Sequence, residues 1–311
     1  MGKPNFIGKK IIMKKFFVAV LILLVVVLGL LWFIKKEDVS VETQDFASLQ
    51  KHLKITFLDV GQGDATFVEF PDGRQMLVDC AIDGRILEAL GRVMEFYDRD
   101  IDYLLITHPD FDHYGGCTDV LNRFEVKNIV YNGFKKEYDD FWIEFWEAVQ
   151  NENAQYIEID HEDTWEIAST TLHFLYPDQP LALVTSTWQK ESNNSSIVFE
   201  LNYAGVEALL TGDAEAELEE YLVHTYGEQI DTDMLKIGHH GSGGASIQEF
   251  VDMASPLYSA ISCGLGNKFG HPSRRVTKRL ERASSTIWRT DLQGDIVIEV
   301  YEDGELKING K

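Results

Sequence analysis

The chain of 311 residues contains three cysteines, Cys80, Cys117 and Cys263, and no CxxC pair. It therefore lacks the dense cysteine spacing of a structural zinc site, and the odd number excludes a fully paired disulfide framework. One disulfide remains compatible with the sequence, which does not indicate the pair that would form it. The chain also contains no low-complexity segment and no short repeat, and its 45% hydrophobic residues suit a large globular domain.

Positive charge is also scarce, because 28 basic residues stand against 51 acidic ones, a net charge of −23. Residues 1–36 hold seven lysines and no acidic residue, so the remaining chain carries 21 basic and 51 acidic residues, a net charge of −30. Such a body repels nucleic acid at long range, which argues against a DNA substrate.

The longest apolar run, residues 16–34, contains no charged residue. At about 1.5 Å per residue a helix of this length is just long enough to cross a bilayer core. Five lysines precede the run and two follow it, so we expect a cytoplasmic N-terminus and a body outside the membrane. A cleaved signal peptide is the alternative, although the run exceeds the usual signal core of about 7–15 residues.

These features divide the chain into a Lys-rich tail with a membrane anchor at residues 1–36, a polar spacer at 37–52 and a globular domain at 53–311. Within that domain, strands and helices alternate. This order predicts one α/β domain in which two mixed sheets pack together with helices outside, a four-layer αββα sandwich. Strands are predicted at residues 53–58, 65–70, 75–79, 102–106, 128–131, 171–175, 196–201, 207–210, 234–237, 258–262, 287–289, 296–301 and 305–309, and helices at 86–97, 115–124, 141–149, 214–226, 247–254 and 274–282.

A run of polar ligand-type residues, His108-Pro109-Asp110-Phe111-Asp112-His113, directly follows one predicted strand. Aspartate and histidine are costly to bury unpaired, so a cluster of them at a strand end requires a positive partner. A pair of divalent ions would supply this positive charge, because imidazole nitrogen and carboxylate oxygen are good ligands for zinc and manganese. The alternative is a polar surface loop in which His113 caps a helix.

Three further loops after or between predicted strands supply similar residues: Asp213, the pair His239 and His240, and His271. Such loops meet at one edge of an α/β sheet, where sites are usually built. Together with His108, Asp110, Asp112 and His113, the donors suffice for two ions if Asp213 bridges them. Asp213 as the N-cap of the following helix and His271 as a structural histidine are the alternatives.

The motif order resembles the metallo-β-lactamase superfamily, in the branch where HxHxDH becomes HxDxDH. More narrowly, it resembles the metallo-hydrolase domain of the ComEC family of competence DNA-uptake channel proteins. The similar blocks lie between residues 53 and about 300: residues 59–64 (DVGQGD), 108–116, 193–196 (NNSS), 209–213 (LLTGD), 236–242 and 269–273 (FGHPS).

The resemblance implies an αββα fold and hydrolysis by two divalent ions. It implies that His108 and Asp110 hold one ion, that Asp112 and His113 hold the second, and that Asp213 bridges them. His240 is favoured over His239 as the last ligand because it directly precedes a glycine. Asp64, Asp112 and His271 are implied as catalytic, and the surrounding or substrate-contacting residues are Asp59, Gln62, Asp79, Asn193, Asn194, Ser196, Lys236, His239 and Ser242.

The chain departs from the ComEC pattern in three respects. It has one apolar span where those proteins have many, so we expect that it does not form the pore. The usual Asp-Thr-Gly after the third strand reads Asp79-Cys80-Ala81. The body is also strongly acidic.

A basic stretch follows His271 and places Arg275, Lys278, Arg279 and Arg282 on one helical face. This face, with Arg274, Lys236 and Lys268, would guide a phosphate backbone towards the ions, and a solvated helix face is the alternative. We therefore expect a membrane-anchored, binuclear-metal phosphodiesterase or nuclease acting on single-stranded DNA, with a separate channel protein as a partner. A hydrolase of a smaller ester, such as a cell-wall phosphodiester or a lactone, and a non-catalytic metal-binding module are the alternatives.

Overall fold

The computed structural model describes residues 52–134, 136 and 139–311. The predicted cytoplasmic tail, membrane anchor and spacer, except for His52, lie outside these residues. Within the described part of the chain, every helix is too short or too polar to cross a bilayer.

The described residues form fifteen strands and eight α-helices. The strands are β1 (His52–Phe57), β2 (Thr66–Glu69), β3 (Gln75–Val78), β4 (Asp100–Leu105), β5 (Glu125–Tyr131), β6 (Gln155–Glu158), β7 (Asp163–Ile167), β8 (Thr170–Tyr176), β9 (Val198–Tyr203), β10 (Val206–Leu210), β11 (Met234–Lys236), β12 (Tyr258–Ile261), β13 (Thr286–Arg289), β14 (Ile296–Tyr301) and β15 (Leu306–Gly310). The helices are α1 (Arg85–Val93), α2 (Phe111–Tyr114), α3 (Cys117–Leu121), α4 (Asp140–Asn151), α5 (Ala216–Tyr226), α6 (Gln248–Ala254), α7 (Arg274–Arg282) and α8 (Thr290–Gln293).

Two mixed sheets contain these strands. The first has the order β15-β14-β1-β2-β3-β4-β5-β6, and the second has the order β13-β12-β11-β10-β9-β8-β7. Strands β3 to β6 run parallel in the first sheet, and strands β10 to β13 run parallel in the second. The carboxyl ends of parallel strands are where α/β proteins place their sites, so each sheet contributes one such edge.

Three apolar clusters hold the layers together. One lies between the two sheets and includes Phe57, Phe174 and Phe199, all fully buried. The second packs α1, α3 and α4 on the outer face of the first sheet, and the third packs α5, α6 and α7 on the outer face of the second. The predicted four-layer α/β arrangement of two mixed sheets is therefore confirmed.

Two predicted helices are shorter than expected. Helix α1 ends at Val93 because the next residue, Met94, is extended, and Tyr97, which the helical spacing placed on the apolar face, is 70% exposed. The predicted helix at residues 115–124 is reduced to α3, and a separate helical turn, α2, precedes it. Strands β6 and β7 were not predicted. Three of the four side chains of β6 are exposed, so no apolar pattern marks it, whereas β7 was missed although its burial alternates.

A disulfide joins Cys80 to Cys117 and settles the pairing that the sequence left open, while Cys263 is free and buried. It ties the turn after β3 to the start of α3, on either side of the His108–His113 segment. The turn itself places Asp79 and Ala81 in the left-handed region, with φ of 61° and 57°. Ala81 is therefore tolerated where glycine is favoured, and its N–H donates to the carbonyl of Asp64 at 2.8 Å.

Candidate metal centre

The predicted ligand segments lie at the adjoining carboxyl edges of the two sheets. His108 to His113 follow β4, Asp213 follows β10 and His240 follows β11. The imidazoles of His108, His113 and His240 and the carboxylate of Asp213 are buried, whereas Asp110 and Asp112 are partly exposed. Because these residues are far apart in the chain, the two sheets must be packed together before the cluster exists.

The side chains converge on one small volume. The Nε2 atom of His113 lies 3.2 Å from Asp213 Oδ2, and that of His240 lies 3.5 Å from the same oxygen. His240 Nε2 is also 3.3 Å from Asp112 Oδ2, and His108 Nε2 is 3.8 Å from Asp110 Oδ2. Asp213 Oδ2 thus lies within 3.5 Å of two of the predicted imidazole ligands, and its bridging role stays a prediction.

Hydrogen bonding orients the three imidazoles so that one nitrogen of each faces this volume. The Nδ1 atoms have partners: Thr107 Oγ1 at 3.0 Å for His108, Asp79 Oδ2 at 2.7 Å for His113 and the Ser262 carbonyl at 3.1 Å for His240. The Nε2 atoms of all three, and Asp213 Oδ1, are buried without a hydrogen bond. Buried polar atoms are rarely left unpaired, so the residues present fit divalent metal ions.

Asp79 is the main support of this arrangement. Besides His113, its carboxylate accepts hydrogen bonds from the backbone N–H and the hydroxyl of Thr107, both at 2.8 Å. Thr107 in turn contacts the Nδ1 atom of His108. The Asp79 carboxylate therefore orients His113 directly and His108 through Thr107, which is consistent with its predicted position next to the ligands.

Two other predicted supporting residues lie where the sequence placed them. The hydroxyl of Ser196 accepts a hydrogen bond from the backbone N–H of Asp213 at 3.0 Å. The side-chain amide of Gln62 lies 3.4 Å from Asp112 Oδ2, a long contact. Helix α5 begins at Ala216 with Glu215 as its N-cap residue, so the alternative reading of Asp213 as a helix cap is wrong.

Asp64 is paired with Lys236 rather than placed against solvent. The ammonium of Lys236 lies 2.5 Å from Asp64 Oδ2 and also donates to the carbonyls of Gly212 and Ile237. Lys236 is buried, so the expectation that it adds to a basic surface is wrong. One carboxylate oxygen of Asp64 still lies within 4.8 Å of ligand atoms of His113, Asp213 and His240, which makes it part of the same cluster.

Charge compensation keeps the cluster ionised. Burial tends to raise the pKa of Asp213, but His113 and His240 outweigh it and the pKa lies well below the usual range. Burial lowers the pKa of His108 to about 4, so this ring is neutral at pH 7. The pKa values of His113 and His240 are raised despite burial, chiefly by the Asp213 carboxylate. The Asp213 carboxylate and these two imidazoles thus favour each other's charged forms, a role that divalent ions would take in a loaded site.

Three residues near Asp110 and His239 were not singled out by the sequence analysis. Lys136 and Ser192 both contact Asp110 Oδ1 at 2.6 Å, and Glu215 Oε1 lies 2.7 Å from His239 Nδ1. Glu215 lies two positions after Asp213, so its place in the sequence could have identified it as a residue of the site. Lys136 and Ser192 lie in other segments, and nothing local in the sequence connects them with Asp110.

His239 does not face the ligand cluster, which agrees with the preference for His240. Both residues adopt the left-handed region, with φ of 46° and 53°, which non-glycine residues rarely do. Asn193 donates to Glu215 and lies 3.3 Å from His239, and Asn194 accepts from the Glu215 N–H at 3.0 Å. These predicted residues therefore stabilise the loops around the ligands.

The remaining predicted residues lie further out. The ring of His271 is partly exposed and lies beside those of Phe269 and His239, with centroids 5.7 and 5.9 Å away. Asp59 is exposed and accepts from the Gly61 N–H within its own turn. Ser242 accepts from the Gly244 N–H at 3.4 Å, also within its own loop.

Helix α7 forms at the predicted residues and starts at an N-cap, Ser273. Arg279 donates to the carbonyls of Ala245 and Ser246, both at 2.9 Å, so its guanidinium supports a neighbouring loop. Lys278 pairs with Glu281 on the same helix. The basic side chains nevertheless surround one surface cavity of about 530 Å³, lined by Arg274, Arg275, Lys278, Arg279 and Arg282.

Comparisons with known proteins agree with this geometry. The model of the metallo-beta-lactamase superfamily matches residues 58–264. The chain is 29% identical to ComE operon protein 3 of Bacillus subtilis over 81% of its length, and 28% identical to competence protein ComA of Neisseria gonorrhoeae over 77%. It spans about a third of each, 33% and 31%. The resemblance to ComEC-type proteins is therefore confirmed.

A solved structure gives independent support for the fold. The chain is similar to CmlA, a diiron beta-hydroxylase from Streptomyces venezuelae, with a TM-score of 0.52 and 14% identity. The match covers 81% of this chain and 54% of that one. At this identity the similarity concerns the fold alone.

Proposed function

This chain belongs to the metallo-beta-lactamase superfamily, and we propose that it is a membrane-anchored phosphodiesterase that uses two divalent metal ions, zinc or manganese, to cleave single-stranded DNA outside the cytoplasm. The observation that carries the proposal is the set of three buried Nε2 atoms, from His108, His113 and His240, that each lie 3.2–3.8 Å from a carboxylate oxygen of Asp110, Asp112 or Asp213. Buried imidazoles grouped with carboxylates in this way form a ligand set that suits zinc and manganese.

Each group of residues has a distinct part in this proposal. His108 and Asp110 would hold one ion, Asp112, His113 and His240 the other, and Asp213 both. When bound, such ions polarise the ester and lower the pKa of water from about 15.7 to about 7. Asp79 and Ser196 hold the ligands in place.

The ring of His271 lies at the edge of the cluster and would meet the substrate. Burial, and then His239, lower the pKa of His271, so the ring is neutral at pH 7 and its N–H can donate a hydrogen bond to a phosphate oxygen. Its proposed role is to orient the scissile phosphate and to assist the leaving oxygen.

A phosphodiester is proposed as the substrate because the acidic body provides one concentrated region of positive charge beside the site. Helix α7 starts directly after the His271 loop, and its five basic side chains surround a single cavity. The names of the relatives, which refer to competence and recombination, are consistent with DNA. Because the chain covers about a third of those proteins, the substrate and a separate channel partner are proposals.

The location outside the cytoplasm is supported by the disulfide as well as by the apolar run at residues 16–34. Structural disulfides persist in oxidising compartments and are rare in the cytosol. The Cys80–Cys117 bond lies beside the ligand segment, so a reducing compartment would loosen the proposed site.

The test is to measure metal content and hydrolysis with the full-length protein. We expect about two zinc or manganese ions per chain, and metal-dependent hydrolysis of bis(p-nitrophenyl) phosphate and of a single-stranded oligonucleotide. Cleavage of the oligonucleotide should fall steeply with added salt, since counterion release governs binding of nucleic acid. A protein that binds no metal would contradict the centre, and salt-insensitive hydrolysis of small esters alone would contradict the DNA substrate.

A further inference from the structure

A second cavity, of about 640 Å³, lies beside the metal centre on the outer side of the first sheet. Helix α4 forms one wall, and the ends of β5 and β6 form another. Five of the residues that line it are aromatic: Tyr131, Phe134, Trp142, Trp146 and Tyr156. No part of the proposed hydrolysis uses this cavity.

The rings meet at different angles around the cavity. Trp142 and Trp146 stack one helical turn apart, with centroids 5.9 Å apart and planes 17° from parallel. The ring of Tyr156 meets Trp146 edge-on at 5.6 Å and 88°, and Tyr131 meets it at 5.8 Å and 54°. Tyr131 and Trp142 are buried and form the floor, whereas Tyr156, at 41% exposure, forms the rim. The lining therefore groups several aromatic rings around one cavity.

Among the described residues that line this cavity, every charged residue is acidic. Glu147 and Glu158 are exposed carboxylates at its walls. Glu158 lies over Gly133, where a Cβ atom would stand 2.4 Å from its Oε1. Lys136, from the adjoining loop, is already paired with Asp110. The negative charge of the two carboxylates is therefore not balanced by a described basic residue of the lining.

We propose that this aromatic cavity binds an organic cation, in the form of a quaternary ammonium or a protonated alkylammonium group. Aromatic faces attract such cations through their quadrupoles, and the two carboxylates add a Coulombic attraction. The same carboxylates, in a body with a net charge of −30, repel a phosphate or another anion. A neutral ligand gains no Coulombic attraction from Glu147 or Glu158, whereas a cation is attracted by both carboxylates and by the aromatic rings.

The cavity adjoins the ligand segment of the metal centre. The ring of Trp142 contacts that of Tyr114, in α2, edge-on at 4.9 Å, and α2 contains Asp112 and His113. A bound cation would therefore lie on the same edge of the first sheet as the metal centre. The inference does not depend on the proposed function, because it concerns binding at residues that hold no metal.

The test is a titration of the full-length protein with choline, in which binding is measured by isothermal calorimetry and by tryptophan fluorescence. The matched control ligand is 3,3-dimethylbutan-1-ol, which has the same shape and no charge. We expect saturable binding of choline and, at the same concentrations, no saturation with the alcohol. Equal binding of both ligands would overturn the proposal, because it would make the cavity merely apolar. Binding of adenosine without binding of choline would also overturn it, in favour of a site for nucleobases.

Two variants localise the binding. Glu158→Gln and Trp146→Leu should each weaken choline binding by roughly three- to tenfold, the range expected for one such interaction. Glu144→Gln, on α4 but outside the lining, is the matched control and should bind like the wild type. Circular dichroism checks that Trp146→Leu remains folded. If Trp146→Leu does not fold, Glu158→Gln still tests the proposal, because Glu158 is exposed and its substitution should not disturb the fold. Unchanged affinity in Glu158→Gln would contradict the assignment.

Discussion

Two parts of the protein wholly or partly bury carboxyl groups but leave them in different charge states. The metal centre contains Asp64 and Asp213, and the second sheet with its helices contains Glu200 and Glu219. Imidazoles and the Lys236 ammonium lower the pKa values of the two aspartates against the effect of burial. Burial raises the pKa of Glu200 to about 7 and that of Glu219 to about 8. Where burial dominates, the neutral form of an acid is favoured, whereas the cations of the metal centre keep its two aspartates charged.

The largest expected effect follows from removing the central charge of the cluster. Asp213→Asn should lower turnover of bis(p-nitrophenyl) phosphate by more than roughly a thousandfold and reduce the metal content together with it, since both ions lose a shared ligand. Metal analysis and steady-state kinetics measure the two effects. Asp252→Asn, on the exposed side of α6, is the control. Turnover close to that of the wild type would contradict the role of Asp213.

Loss of the disulfide should affect the same region through its backbone. The double variant Cys80→Ser, Cys117→Ser should be less stable by about 2–4 kcal/mol, because the bond restricts the unfolded chain across a sequence separation of 37 residues. Thermal unfolding with and without reductant measures this. Cys263→Ser, which keeps the Cys80–Cys117 disulfide, is the control and should lose stability on addition of reductant as the wild type does. A melting temperature equal to that of the wild type would show that other contacts hold the ligand segment.

A smaller effect is expected when a supporting carboxylate is neutralised and the ligands are left intact. Asp79→Asn should lower metal affinity by roughly 10- to 100-fold, because His113 and Thr107 lose the group that orients them. Competition with a chromogenic chelator measures the affinity, and Asp59→Asn, in an exposed turn, is the control. Unchanged affinity would mean that Asp79 serves the fold and not the ligands.

The charge of Glu200 should appear in the pH dependence of stability. Its folded-state pKa of about 7 exceeds the ordinary value of 4.5, so its contribution to stability is complete below pH 4.5 and is lost as the pH rises through 7. Relative to Glu200→Gln, the wild type should lose about 1–2 kcal/mol between pH 5 and pH 8.5. Urea unfolding at both values measures this, with Glu220→Gln as the exposed control. Parallel pH profiles of wild type and Glu200→Gln would refute it.

The smallest effect is expected at α7, because Arg279 already donates to backbone carbonyls and Lys278 already pairs with Glu281. Arg274→Gln with Arg275→Gln should raise KM for single-stranded DNA by roughly three- to tenfold and leave hydrolysis of bis(p-nitrophenyl) phosphate unchanged. Arg123→Gln, an exposed arginine on another part of the surface, is the control. Equal losses on both substrates would exclude a role in guiding DNA.

The sequence predicted the layers of the fold and the residues of the cluster because both depend on local patterns. The strand before His108 and the glycine after His240 are visible in short segments. Strand β6 escaped prediction because Gln155, Tyr156 and Glu158 are exposed at a sheet edge. The disulfide partner of Cys80, the contact of Lys136 with Asp110 and the aromatic cavity depend on distant segments that meet only in the folded chain.

The pairing of β1 has a consequence for the order in which the chain can fold. Residues 52–57 hydrogen-bond on one side to β2, which follows closely, and on the other to β14 at residues 296–301. Until the C-terminal segment has been synthesised and delivered to the same compartment, the first strand exposes an unpaired edge to other chains. Completion of the sheet should therefore be a late event in biogenesis, and arrested or truncated chains should be the ones that aggregate.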